Sequence, residues 1–168
     1  ATWLHLNNIP TGEFYDITLD NKKPYTIYGG TQDDATVYGK ASEWNAARYD
    51  GWKYLWIDPW SGGDGCVTVV DPTDSNTVYY SSQEGGIRRM DLRTRTSEYA
   101  GLKEEQRKTA RFNFISPYFL SSHTHALYLG AQHLLKSDDQ GRSWKPASPD
   151  LTAGKDKTRT ALALSAVV

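Results

Sequence analysis

Apolar residues along this chain alternate with polar ones in short runs. Phe14–Leu19 (FYDITL) alternates outright, and Tyr25–Tyr28, Cys66–Val70, Thr77–Tyr80, Phe112–Leu120 and Ala126–Leu129 are rich in β-branched and aromatic residues. Successive side chains of a strand point to opposite faces, so runs of this length and composition predict strands. Turn formers separate them: DNKKP at 20–24, DPTDSN at 71–76 and SSHT at 121–124. Helical periodicity is confined to Leu102–Arg111, where the charge suits a solvated loop or roughly two turns of surface helix. The pattern predicts an all-β chain.

The strands also recur. TIYGGTQ at 26–32, TVYYSSQ at 77–83 and ALYLGAQ at 126–132 each have a central Tyr, small residues nearby and a closing Gln. Tyr28 and Tyr79 are 51 residues apart, and Tyr79 and Tyr128 are 49 apart. A period near fifty residues, filled by about four short strands, is that of propeller blades. Grouped on it, the strands predict three four-stranded antiparallel blades. The first, at 13–58, has strands 14–20, 25–31, 36–41 and 54–58. The second, at 66–100, has 66–71, 77–82, 87–92 and 96–99, and the third, at 112–147, has 112–120, 126–131, 134–137 and 143–147. Incomplete strands flank them, Thr2–Leu6 within 1–8 as the end of a preceding blade and Thr160–Val168 as the first strand of the next. The expected architecture is a partial β-propeller.

Composition narrows the functional classes. Lys and Arg number 19 against 20 Asp and Glu, a net charge of −1, which lacks the basic excess of a nucleic-acid or membrane-surface protein. Apolar residues make up only 38% of the chain, yet it holds 6 Trp, 11 Tyr and 4 Phe. The core must therefore use Tyr and Trp, whose polar tips need partners. A single cysteine, Cys66, excludes an internal disulfide and reads as a small buried hydrophobe. No stretch approaches the roughly 20 apolar residues of a membrane span, and Ala1–Pro10 lacks the basic start and apolar run of a signal peptide.

One motif is sharper. Ser137-Asp138-Asp139-Gln140-Gly141-Arg142-Ser143-Trp144 fits S-x-D-x-G-x-x-W. In a hairpin turn of this spacing Asp139 caps backbone N–H groups, Gly141 supplies the positive-φ residue, and Trp144 packs over the loop. The pattern is the Asp-box, or BNR repeat, here between the third and fourth strands of the last predicted blade. Ala1-Thr2-Trp3 looks like the last three positions of another. With Asn7–Tyr15 (NNIPTGEFY), Tyr28–Asp34 (YGGTQDD), Asp71-Pro72, Gly85–Leu92 (GGIRRMDL) and Ser148–Thr152 (SPDLT), the chain resembles large bacterial proteins with sortilin-like, Asp-box β-propellers. Many of those are labelled glycosyl hydrolases by similarity. The resemblance implies a secreted or periplasmic β-propeller, related in architecture to sortilin-type receptors, sialidases and xyloglucanase-like hydrolases. Two departures stand out. The first two blades carry no intact Asp-box, the second having Asp91-Leu92-Arg93-Thr94-Arg95-Thr96 at that turn, and 168 residues are too few for a full ring. The chain therefore reads as a segment of a larger propeller, or as one of several copies that close a ring. Exposed strand edges would invite pairing with the remaining blades or another copy.

Propeller geometry gathers the loops between second and third strands, and those joining blades, on one face around the channel. Turns between third and fourth strands face the other way, so Ser137, Asp139, Gly141 and Trp144 are expected to be structural. The channel-mouth face would receive Gln32-Asp33-Asp34, Gln83-Glu84 and Gln132-His133, with 58–65, 103–111 and 150–159 arriving between blades. Aromatic faces beside carboxylates and amides suit sugar rings. Gln32, Gln83, Gln132, Trp56 and Trp60 are the ligand-binding candidates. Glycoside hydrolysis needs two carboxyls, about 5–5.5 Å apart for retention or about 6.5–9.5 Å for inversion, and Asp33, Asp34, Asp64 and Glu84 are the catalytic candidates. Each has a plainer reading: Asp33-Asp34 as a turn cap before Thr36, Asp64 as a residue of a Gly-rich turn, the three Gln as bridges between blades. The expected function is a binding scaffold for a glycan or an extracellular protein or peptide. The alternative is a glycoside hydrolase whose site is completed by missing blades or other copies. No cofactor or metal is expected, since His5, His123, His125 and His133 lack the spacing of a zinc helix and Gly62-Gly63-Asp64-Gly65 is no phosphate loop.

Overall fold

Three consecutive groups of four strands pair as three antiparallel sheets, each running from first strand to fourth in chain order. The structure is a computed structural model in which residues 12–43, 51–55 and 63–152 are described. The first sheet holds β1 (Phe14–Leu19), β2 (Thr26–Thr31), β3 (Asp34–Lys40) and β4 (Lys53–Tyr54), and β5 (Gly63–Asp64) pairs in parallel with the start of β3. The second holds β6 (Thr68–Val70), β7 (Thr77–Ser82), β8 (Gly86–Asp91) and β9 (Thr96–Tyr99), and the third β10 (Tyr118–Leu120), β11 (Leu127–Gly130), β12 (Leu134–Ser137) and β13 (Lys145–Pro146). A single turn of helix, α1 (Glu104–Arg107), lies between the second and third sheets. The fold is all-β, as the alternation predicts.

Several elements differ from expectation for identifiable reasons. The run 112–120 forms a strand only from Tyr118, because Pro117 has no N–H for a ladder and Ser116 Oγ donates instead to Asn113 O at 2.9 Å. The 102–111 segment closes one helical turn, not two; Lys103 at its N-cap offers no side-chain acceptor, and so short a helix has little stability of its own. The parallel strand β5 has no periodic signal, being two residues long. The expected remnants Thr2–Leu6 and Thr160–Val168, the half-motif Ala1-Thr2-Trp3 and most of the expected strand 54–58 lie outside the described residues.

The core is organised by β7. Val78 and Tyr80 leave one face of this strand to pack with Tyr28, Leu55 and Met90, between the first and second sheets. Tyr79 leaves the other face to pack with Ile87, Leu127, Leu129, Leu135 and Trp144, between the second and third. Tyr28, Tyr79 and Tyr128 occupy equivalent places in the second strand of each sheet, pairing with Thr18 and Tyr38, Val69 and Arg89, and Phe119 and Lys136. Tyr28 and Tyr79 both face the following sheet and are sealed from solvent. Their polar tips shape the interior: Tyr28 Oη donates to Asp20 at 3.4 Å, Tyr118 Oη to Val67 O at 2.9 Å, and Tyr80 Oη is 2.9 Å from Ser97 Oγ. Burial pushes the Tyr79 phenol up to about 12 and Tyr28 higher still.

The turn after each first strand closes in the same way. Asp20 N–H donates to Thr26 O (3.1 Å), Asp71 N–H to Thr77 O (2.9 Å) and Ser121 N–H to Ala126 O (2.9 Å). The side-chain oxygens of all three then accept backbone N–H groups inside the turn, from Thr26, Thr73 and Thr124 respectively. Among the described residues, no helix is long and apolar enough to cross a membrane.

The connector into the second sheet threads tightly past β2. Gly65 N–H donates to Thr31 O at 3.0 Å and Cys66 N–H to Ser81 O at 2.7 Å, stitching the connector to both sheets. A Cβ on Gly30 would lie 2.0 Å from Cys66 O, so only glycine permits the approach. Gly30→Ala is expected to destabilise the protein by about 1–3 kcal/mol, with Tm falling about 2–4 °C for each kcal/mol. Urea unfolding of the variant beside the parent chain checks this, and an unchanged midpoint would contradict it.

Candidate functional site

Antiparallel meanders put alternate turns at opposite ends, and the two ends of these sheets carry different chemistry. At one end lie the β1–β2, β6–β7 and β10–β11 turns and the third-to-fourth-strand turns. They brace each other: Lys22 Nζ donates to Ser75 O at 3.0 Å, and Arg93 bridges Asp74 and Asp91, both at 3.1 Å.

The S-x-D-x-G-x-x-W hairpin sits at this end, between β12 and β13. Ser137 Oγ donates to Asp139 Oδ1 at 2.8 Å and accepts Gly141 N–H at 2.8 Å. Asp139 also receives Ser143 N–H at 2.8 Å and Ser143 Oγ at 2.5 Å. These bonds, the Ser143 hydroxyl foremost, hold the Asp139 carboxyl down at about 2. Gly141 has φ 89° and lies against Ala100, and the Trp144 indole N–H donates to Ala100 O at 3.0 Å. The motif thus fastens the third sheet's outer hairpin to the residue that follows β9. All four of its expected residues are committed to the turn and its anchorage. In the second sheet, where this spacing is absent, Asp91 Oδ1 caps Arg93 N–H at 2.8 Å instead.

The opposite end gathers the candidate ligand chemistry. Asp33 lies in the β2–β3 turn with φ 61°, and Glu84 lies at the equivalent point of the β7–β8 turn with φ 56°. Left-handed backbone at a non-glycine residue is uncommon. Asp34 opens β3 and pairs with Gly63, while Asp64 sits on β5 opposite Ala35. Asp64 is the meeting point: Oδ1 accepts Asp33 N–H at 2.8 Å and Oδ2 accepts the Gln83 amide at 3.2 Å. The structure therefore places Asp33, Asp64 and Gln83 together, and joins Glu84 to the same region through its N–H on Phe114 O at 2.9 Å.

The three glutamines act on connectors. Gln132 takes Arg111 N–H on Oε1 (2.8 Å) and gives its amide to Thr109 O (2.9 Å), holding the segment that enters the third sheet. Gln83 gives its amide to the Asp64 carboxylate at 3.2 Å, on the segment that runs from the first sheet into the second. Gln32 is exposed, and its backbone N–H donates to Glu13 O at 2.9 Å. Gln132 thus secures the run leading into its own sheet, while the Gln83 amide reaches Asp64 on β5, which pairs with β3 of the neighbouring first sheet. Trp56 and Trp60 lie outside the described residues, as do 153–159 of the expected 150–159 loop. Asp150 is tied to Arg111 at 2.9 Å and to Thr152.

Two aromatic residues that sequence reasoning passed over complete the cluster. β1 has a bulge between Phe14 and Asp16, and the residue so displaced is Tyr15. Its ring meets Phe114 edge-on, with centroids 6.2 Å apart and planes at 72°. Desolvation, then the charges of Asp64 and Glu13, raise the Tyr15 phenol above its ordinary value, so it remains a neutral hydroxyl. Phe114 is exposed. The available signal was Phe14-Tyr15, a break in strict alternation. Phe114 was hidden inside what read as a strand. Among the described residues no group of three or more His, Cys, Asp or Glu is placed to hold a metal ion, and Cys66 is buried, its thiol pushed up to about 11.

Neither a protein-family profile nor a curated protein sequence matches this chain.

Because the folded Asp139 carboxyl titrates near 2, below a free carboxylate, its stabilisation is complete above about pH 4 and is lost as pH falls through about 2. Asp139→Asn is expected to be less stable at neutral pH and to lose less stability on acidification across that window. Urea unfolding at stepped pH reads both effects, and parallel acid limbs for the two proteins would refute the assignment.

Proposed function

We propose that this chain is part of an Asp-box β-propeller of the sortilin-like kind, and that it acts outside the cytoplasm as a carbohydrate-binding scaffold. Three successive four-stranded meanders with equivalent tyrosines, and a complete Asp-box turn bracing two of them, support the architectural half of this reading. The functional half rests on one observation: the half-buried Tyr15 and the exposed Phe114 stand beside Asp64, whose two oxygens are already held by Asp33 N–H and the Gln83 amide. Aromatic faces cover the C–H faces of a sugar ring, and nearby carboxylate, amide and phenol groups meet its hydroxyl edge. A carboxylate tied into the scaffold by two internal donors serves better as a fixed acceptor than as a group that must gain and lose protons.

The test is titration of the purified protein with a panel of soluble oligosaccharides, with product analysis on the same samples. The expected result is saturable binding without new reducing ends, weakened about thirtyfold by Phe114→Ala, as for a hot-spot aromatic worth about 2 kcal/mol. Turnover abolished by Asp34→Asn or Asp64→Asn would make the protein a glycoside hydrolase instead. Absence of binding across the panel would overturn the carbohydrate reading.

A further inference from the structure

The internal interfaces repeat residue for residue. Aligned on Tyr28, Tyr79 and Tyr128, the face each sheet turns toward the preceding one carries Ile27, Val78 and Leu127 on its second strand, each paired with Leu19, Val70 and Leu120 on its first. Val78 and Leu127 are fully buried, covered by the tyrosine face of the sheet before. On the first sheet no described residue covers the same face: Ile17 is 56% exposed, Leu19 55% and Phe14 39%. Phe14 and Trp52 lie on it with ring centroids 6.0 Å apart. The third sheet has the reverse surplus. Its tyrosine face, Tyr128 stacked on Phe119 at 5.0 Å with Lys136 alongside, points away from the second sheet. Tyr28 and Tyr79 at that position are sealed, whereas Tyr128 is only half-buried.

We propose that a second copy of this chain docks head to tail, its third-sheet face (Phe119, Tyr128) covering the first-sheet face (Ile17, Leu19, Ile27, Trp52) of its neighbour. The argument is continuity with the interfaces within the chain: a tyrosine face packs on an aliphatic face twice inside the molecule, and among the described residues one unmatched example of each remains. A cleft of about 220 Å³ lined by Tyr25, Ile27, Gly39 and Trp52 opens on the aliphatic face. A cavity of about 150 Å³ accepts benzene, so this one has room for an incoming tyrosine ring. The two faces differ, so the contact is heterologous and repeats to a ring or an open chain.

Sedimentation velocity on the full chain and two variants tests the geometry. The parent chain is expected to rise above its 18.9 kDa monomer mass as concentration goes from micromolar to high micromolar. Ile17→Lys, made at a position more than half exposed, and Tyr128→Lys should each remain monomeric while keeping the parent near-ultraviolet circular dichroism. Mixed together, the two variants should form a one-to-one dimer and nothing larger, because each retains the face the other lacks. Should Tyr128→Lys unfold, Phe119→Lys takes its place. A parent chain that stays monomeric, as it would if its own residues 160–168 covered one of the faces, overturns the proposal. So does self-association that survives either substitution, which would mean like faces pairing, or a mixture that yields only monomers.

Discussion

The structure depends on the obligation of a short-stranded sheet to bury both of its faces. In β7 consecutive residues leave in opposite directions, Val78 and Tyr80 toward the first sheet and Tyr79 toward the third, and all three are buried. A strand of six residues flanked by partners of three and six has too little area on either side to fold alone. The middle sheet therefore exists because it has two neighbours. This is the physics of stacked repeats, in which each unit is stabilised mainly through its interfaces with adjacent ones. It also accounts for the composition. Interfaces between thin sheets are filled by a few large rings, and tyrosine supplies area together with a hydroxyl that reaches the edge, as Tyr28 does to Asp20 and Tyr118 to Val67 O.

Stacking fixes where each end of the sheets can vary. At the end that carries the Ser137–Trp144 hairpin, side chains repeatedly replace backbone partners: Asp20, Asp71, Ser121 and Asp139 each accept N–H groups of their own turn. That end is locked locally, and long polar side chains such as Lys22 and Arg93 lace one turn to the next. At the opposite end the chain must travel from the last strand of one sheet to the first of the next. The connectors are held there by glutamine amides and by close glycine contacts at Gly30 and Gly65. Connectors held at discrete points leave space between those points. The cluster of Tyr15, Asp33, Asp64 and Phe114 occupies such a place.

The sequence made the repeat legible because its cause is periodic. Alternation, a fifty-residue interval and three tyrosines in register are direct traces of sheets that stack, and S-x-D-x-G-x-x-W is a direct trace of one hairpin. What it concealed has no period. Tyr15 leaves the ladder at a bulge, so alternation alone assigns it to an ordinary strand. Phe114 sits in a loop that shares the apolar composition of the strand beginning after Pro117. Asp64 looked like a residue of a Gly-rich turn, yet it lies in a two-residue parallel pairing with β3, which no window of hydrophobicity detects. Gln83 and Gln132 were visible in the repeat but not as holders of connectors, since an amide offers a donor and an acceptor to whatever polar group is near.

These features join at the cluster itself, which no single sheet could form. Tyr15 comes from the first sheet, Gln83 and Glu84 from the second, Asp64 from the connector between them, and Phe114 from the connector into the third. Each pair of neighbours is brought to contact distance by the same face-to-face burial that holds the core. Asp64 then has two tasks that reinforce each other: it fastens the β2–β3 turn to the β7–β8 turn, and it sets a negative charge beside the Tyr15 phenol. Loosening the contact between the first two sheets would part Asp33 from Gln83 and withdraw that charge from the ring. The integrity of the candidate site is therefore a property of the stack, and substitutions at buried positions such as Val78 or Met90, remote from any ligand, should reach it through sheet spacing.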